Sequence, residues 1–186
     1  DGEERVVPSH RSIAEYLAAK WLAEQIDQWG LPLGRVLNLF LGRDERTIAG
    51  LRGLYGWLAL HCQAARQRLI EADPLTVIVY GDVKPMSLED KRKLLCGLRQ
   101  EARQHVAFRW EIPSATPFGA LAEPGLGDEF SAALSTSERD DASQAYADCV
   151  LDILGEGEPI PELAMTIKAV VVDGSWWPRV RREALE

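Results

Sequence analysis

The chain is predicted to be mainly α-helical, a helical bundle passing into stacked helix pairs, with one short β-strand near its N-terminus. Three observations predict this. Apolar residues return at three- and four-residue spacings through most of the sequence, which is the period of a half-buried helix. These stripes follow residues that cap helix starts, such as Ser12, Asp44 and Ser87, and they stop at Gly30, Gly42 and Asp73-Pro74. Strand-like composition is confined to two short runs, Arg5–Val7 and Leu75–Tyr80.

Arg5 to Val7 reads as the last strand of a hairpin whose partner lies upstream, broken by Pro8 and Ser9. Ser12-Ile13-Ala14-Glu15 has the spacing of a capping box, so a helix is expected from about Ile13. Its stripe is Ile13, Tyr16, Leu17 and Trp21, extended by Leu22, Ile26 and Trp29. A short helix follows at Leu33 to Leu41, then a third, capped by Asp44 and carrying Ile48, Leu51, Leu54, Tyr55 and Leu58. Gln63 to Ala72 is expected to be helical. Leu75 to Tyr80 is rich in β-formers, but Pro74 at a first helical position and helical neighbours favour a helix, with a buried strand as the alternative.

Ser87 opens a helix running to about Gln104, with Leu88, Leu94, Leu95 and Leu98 on its apolar side. Between Phe108 and Gly127 the sequence turns to Pro, Gly and Ser, a long loop that Trp110 and Phe118 would pin to the body. Helices are expected around Asp128–Leu134, Asp140–Leu154 and Glu162–Val172, and Val180 to Leu185 starts another that is cut off.

With 186 residues, 46% of them hydrophobic and 27% charged, the chain is long enough to bury a substantial core without staples. The formal net charge of −8 argues against nucleic acid as a partner. One basic cluster, Arg179, Arg181 and Arg182, follows Trp176-Trp177-Pro178 and reads as packing plus solvated charge more readily than as a base-stacking surface. No apolar run approaches the roughly 20 residues of a membrane helix, so no membrane partner is expected. The chain has no initiating Met and no signal peptide, and reads as cut from a longer polypeptide.

Cys62, Cys96 and Cys149 are too far apart for a zinc or redox motif and too few for a disulfide framework, so a reducing, cytoplasmic compartment is expected. Cys62 and Cys96 fall in apolar helical patterns and should be buried thiols. The acidic pairs Glu89/Asp90, Asp140/Asp141 and Asp148/Asp152 read as solvated helix faces. His61 and Cys62 are adjacent on a helix and cannot face each other as a catalytic dyad, and His105 should complement a helix dipole. No catalytic residue and no metal ligand is assigned.

Two resemblances go further. The Asp173-Gly174-Ser175 turn with Pro178-Arg179-Val180-Arg181-Arg182-Glu183-Ala184-Leu185 is similar to stacked helical repeats of the HEAT kind. More specifically, Ser9-His10-Arg11-Ser12-Ile13-Ala14-Glu15-Tyr16-Leu17-Ala18-Ala19, after the strand-like Val6-Val7, resembles the end of the winged-helix domain in the NACHT branch of STAND NTPases, which includes NOD-like receptors and bacterial antiphage relatives. His10, Ser12, Glu15, Tyr16, Leu17, Ala18 and Ala19 match that pattern; Ile13 stands where the family usually has Phe, and Ala14 where it usually has Gln.

The resemblance implies that His10 contacts a phosphate of bound ADP and holds the resting state. A position beside a helix N-terminus, where unpaired backbone N–H groups favour anions, suits that role; the plainer alternative is a histidine that caps or packs the corner. No Gly-rich loop ending in Lys-Ser/Thr and no Mg²⁺-holding acidic strand end is present, so this segment alone should bind no cofactor and do no chemistry. ADP or ATP with Mg²⁺ would belong to an NTPase domain upstream in the same chain.

The implied organisation is the end of a winged-helix domain over 1–30, a helical domain over 31–107, a linker over 108–127 and HEAT-like repeats over 128–186. The implied function is the regulatory segment of an ATP-dependent switch in bacterial antiviral defence, with an unknown trigger on the C-terminal repeats and homo-oligomerisation on activation. The alternative is a stand-alone helical scaffold for protein partners.

Overall fold

The computed structural model describes residues 10–42, 46–112 and 116–185, apart from the side chains of Trp110 and Glu111. The strand expected at Arg5–Val7, the Asp44 cap and the Trp110 anchor lie outside the described residues and side chains. The described chain is mainly helical, and its one β element is an isolated antiparallel bridge between Leu41 and Thr47. It divides into two compact units, 1–82 and 83–186. The linker expected at 108–127 falls inside the second unit.

The first unit holds α1 (Arg11–Trp29), α2 (Leu33–Phe40), α3 (Arg52–His61), α4 (Gln63–Ala72) and α5 (Pro74–Tyr80). Gly30, at φ 66°, ends α1 because only a residue without a β-carbon takes that left-handed turn at no cost, and the Leu31 N–H then reaches the Gln25 carbonyl at 3.0 Å. Leu75 to Tyr80 lies in α5, which starts with Pro74 and is capped by Asp73, whose carboxylate accepts from the Thr76 N–H at 3.0 Å. The same carboxylate accepts from the Thr47 N–H at 3.1 Å, tying the segment after α2 to the α4–α5 corner.

The centre of this unit is α3. Its Tyr55, Leu58 and Ala59 are fully buried, and the Tyr55 hydroxyl donates to the Leu69 carbonyl of α4 at 2.8 Å. Phe40 of α2 meets the Tyr55 ring edge-on at 5.5 Å. Against α5 the approach is backbone to backbone: a β-carbon on Gly56 would stand 2.5 Å from the Gly81 nitrogen. The helix expected to start after Asp44 starts instead at Arg52, behind a 3-10 turn at Ala49–Leu51, which leaves Ile48 outside it and 45% exposed.

The second unit holds α6 (Leu88–Gln104), α7 (Gly127–Leu134), α8 (Asp141–Glu156), α9 (Ala164–Val172) and α10 (Pro178–Glu183). Ser87 and Asp140 are the N-caps of α6 and α8, accepting from the Asp90 and Ser143 amides at 3.2 and 2.8 Å. α8 is the central helix, buried continuously from Gln144 to Leu151 and packed by α6, α7, α10 and the 3-10 turn Phe118–Leu121. That turn buries Phe118 completely, as its aromatic character led one to expect, and presses Gly119 onto the Glu156–Gly157 backbone.

Two expectations about burial are corrected in this unit, and a third, that Trp176 packs, is met. Asp148 and Asp152 are not a solvated face: Asp148 pairs with Arg179 at 3.0 Å, and Asp152 pairs with Arg109, which also lies over the Phe118 ring. Cys96 is exposed, whereas Cys62 and Cys149 are buried. Trp176 is an interior residue, 3% exposed, with the Arg139 guanidinium 3.9 Å from its ring centre.

Candidate functional site

The segment singled out in the sequence forms the start of α1 and its contact with α3. His10 is the N-cap residue, with extended backbone at φ −122° and ψ 136°, and its carbonyl accepts the first helical bond from the Ala14 N–H at 3.2 Å. The helix therefore starts at Arg11, two residues before the expected position. The capping box is corrected too: Ser12 lies inside the first turn, and no side chain caps this helix. The His10 side chain is exposed and makes no hydrogen bond with a described residue.

Glu15 has a different task. It accepts from Arg11 Nε at 2.7 Å, and its carboxylate lies over Gly53 of α3. Arg11 completes the link by donating through Nη2 to the Gly50 carbonyl at 2.9 Å. Tyr16 then meets two α3 rings edge-on, Trp57 at 5.2 Å and His61 at 4.7 Å. At the far end Cys62 Sγ donates to Asp27 Oδ1 at 3.6 Å. Contacts that advance together along both sequences place α1 and α3 parallel, which is why a connection containing α2 must return between them.

The packed face of α1 overlaps only part of the expected stripe, at Tyr16 and the half-buried Leu22 and Ile26. Ala19 and Ala23 are its buried residues, while Ile13, Leu17 and Trp21 are 47%, 52% and 59% exposed. The reason lies in the partner. Gly53 presents no side chain to α1, so the two helices can come close there, and a close approach admits alanine, not leucine or tryptophan. Ile13, Leu17 and Trp21 recur every fourth residue and form an uncovered apolar row, with His10 three residues ahead of it.

The titratable groups near this contact are set for structure. Burial, with Lys20 nearby, lowers the His61 pKa, and its Nε2 is buried without a hydrogen-bond partner, so the ring is neutral at pH 7. Burial raises the Cys62 thiol, which keeps it protonated and unreactive. Among the described residues no group of three or more His, Cys, Asp or Glu could hold a metal ion, and no described helix is long and apolar enough to cross a membrane.

The basic cluster near the C-terminus is largely committed to packing. Arg179 pairs with Asp148, and Arg181 Nε donates to the Val171 carbonyl at 2.9 Å. A cleft that sequence reading did not anticipate lies in the second unit between α6, the end of α7 and the start of α8, with Arg99, Arg103, Thr136 and Tyr146 among its walls. The two arginines stand four residues apart, a spacing that puts them on one face of a helix, but only the fold brings the hydroxyls to them. Compared with known proteins, the chain matches no family model, no curated sequence and no solved structure.

Proposed function

We propose that the chain is a regulatory segment of an ATP-dependent switch of the NACHT type, in which α1 docks against an NTPase domain of the same polypeptide and His10 contacts a phosphate of bound ADP. The observation that carries this reading is the outer side of α1. His10 stands at the helix N-terminus with its side chain uncommitted, and the uncovered row of Ile13, Leu17 and Trp21 continues from it. An exposed apolar row of this kind is a surface for a protein partner, and the helix N-terminus beside it favours an anion. Three of the other matched residues, Glu15, Tyr16 and Ala19, fasten α1 to α3, so a pull on His10 would be felt by the first unit as a whole.

In this reading ADP favours a closed, resting form, and a trigger acting on helices of the second unit, read as HEAT-like repeats, favours an open form able to homo-oligomerise. The setting would be the cytoplasm and bacterial antiviral defence. The test is ADP affinity of the full-length protein by calorimetry, with and without His10→Ala, at matched Mg²⁺ and salt. A direct phosphate contact predicts a loss of about tenfold, near 1.4 kcal/mol. Unchanged affinity in a folded, equally active variant would remove His10 from the switch.

The second reading is a helical scaffold for protein partners, without nucleotide. It is favoured by α9, where Met165 and Val172 are 74% and 71% exposed on a helix that buries only Val170. It predicts that Met165→Glu abolishes partner binding while His10→Ala leaves every activity intact.

A further inference from the structure

The cleft in the second unit has the chemistry of an oxyanion site. Arg99 and Arg103 extend from the last turns of α6, Thr136 comes from the loop after α7, and Ser143 and Tyr146 come from the first turns of α8. Ala132, Ala133 and Ala142 complete the walls of an open cleft of about 190 Å³. Neither arginine makes a hydrogen bond or ion pair with a described residue. Tyr146 is only 7% exposed, it lines the cleft, and its hydroxyl likewise has no hydrogen-bond partner among the described residues. The phenol body is buried while its hydroxyl is free to donate to whatever occupies the cleft, water or ligand.

Two carboxylates also line the cleft, and their positions decide its sign. Asp140 is already engaged: it accepts from the Ser143 amide at 2.8 Å as the α8 cap, and bonding from Ser143 followed by the charge of Arg103 holds its carboxyl low. Glu138 is exposed, as Arg99 and Arg103 are, so water screens these charges alike and one carboxylate stands against two guanidinium groups. An entering ligand therefore meets two guanidinium forks, the Thr136 and Tyr146 hydroxyls and the positive end of a 16-residue helix.

We propose that this cleft binds the phosphate group of a small phosphate monoester, held by Arg99, Arg103, Tyr146 and Thr136. A tetrahedral dianion with three terminal oxygens uses this set of donors more fully than a planar carboxylate, which offers two. The small volume, about 190 Å³, fits a compact molecule. Thr136 already accepts from the Glu138 amide at 3.2 Å, which leaves its O–H to donate. The site does not depend on His10 or on any nucleotide-linked switch.

The test is calorimetric titration of the 186-residue chain with inorganic phosphate, glycerol 3-phosphate, a phosphoserine peptide and acetate at constant ionic strength. Saturable one-to-one binding of phosphate and glycerol phosphate is expected. It should weaken at least tenfold in Arg99→Ala/Arg103→Ala and about threefold in Tyr146→Phe, with the thermal midpoint of Tyr146→Phe close to that of the parent. Arg103→Gln alone, an exposed change that preserves the helix, should weaken it severalfold and serves if the double variant does not fold. No saturable binding, equal affinity in the arginine variants, acetate binding as tight as phosphate, or a tenfold preference for the phosphopeptide would each overturn the proposal.

Discussion

The Glu15 carboxylate occupies the space directly above the Cα of Gly53, where any β-carbon would overlap it. This contact, with the Arg11 bonds to Glu15 and to the Gly50 carbonyl, sets the spacing of α1 and α3. Gly53→Ala should therefore destabilise the chain by about 1 kcal/mol, because Glu15 must swing away from Arg11. In the Glu15→Ala background the same substitution should be neutral or stabilising, since alanine is the better helix former once the space is free. Urea unfolding of the four-member cycle measures this, and strictly additive values would show that the two residues do not compete for that space.

A sharper contrast is expected between two glycines of other helix positions. Gly56 faces the α5–Gly81 backbone, which cannot rotate out of the way, so Gly56→Ala should cost about 2 to 3 kcal/mol. Gly155, near the end of α8, faces open space, and Gly155→Ala should stabilise by roughly 0.5 to 1 kcal/mol. Denaturant midpoints of the two single variants check the pair.

Thiol reactivity provides a direct reading of burial. Cys96 is exposed, whereas burial of Cys62 and Cys149 also raises their thiol pKa values. The native chain should react at one thiol with a soluble disulfide reagent and at all three in denaturant. Fast reaction of a second thiol under native conditions would contradict the packing around α3 or α8.

Two aspartates of the second unit should act on stability in opposite directions as pH changes. Burial raises the Asp148 carboxyl despite Arg179, so the folded state holds its proton longer than the unfolded chain does. Its contribution is therefore full below the unfolded value of about 3.9 and is lost as pH rises through the folded value. Asp173 is held low by Ser175 and Arg139, so its contribution is present above the unfolded value and is lost as pH falls through the folded one. The stability difference between the parent and Asp148→Asn should shrink with rising pH across the acid range, while that for Asp173→Asn should grow. Parallel curves would exclude both assignments.

Arg139 gathers the turn before α10 onto the loop before α8. Its Nε donates to Ser175 Oγ at 2.8 Å, Nη2 to Asp173 at 2.9 Å and Nη1 to the Thr136 and Glu138 carbonyls, while its plane covers Trp176. Lysine cannot reproduce a planar fork with five donors, so Arg139→Lys should destabilise by about 1 to 2 kcal/mol although the charge is kept. Thermal unfolding measures it, and a midpoint equal to that of the parent would reduce the cluster to surface decoration.

What the sequence determined by itself was local. The α4 and α6 spans, the Ser87 cap, the Gly30 stop and the helical state of Leu75–Tyr80 were all legible, because capping, left-handed turns and helix period depend on residues only a few positions apart. What only the tertiary structure decided was which surfaces face each other. The period of α1 marked Ile13, Leu17 and Trp21 as part of its inner face, yet α3, which meets α1 at Gly53, made the alanine face the one that fits. Asp148 and Asp152 looked solvated until Arg179 and Arg109 were brought to them, and the cleft between Arg99, Arg103 and Tyr146 exists only where three helices meet. Burial and partnership depend on the shape of the opposing element, and that shape is not written within any one turn of helix.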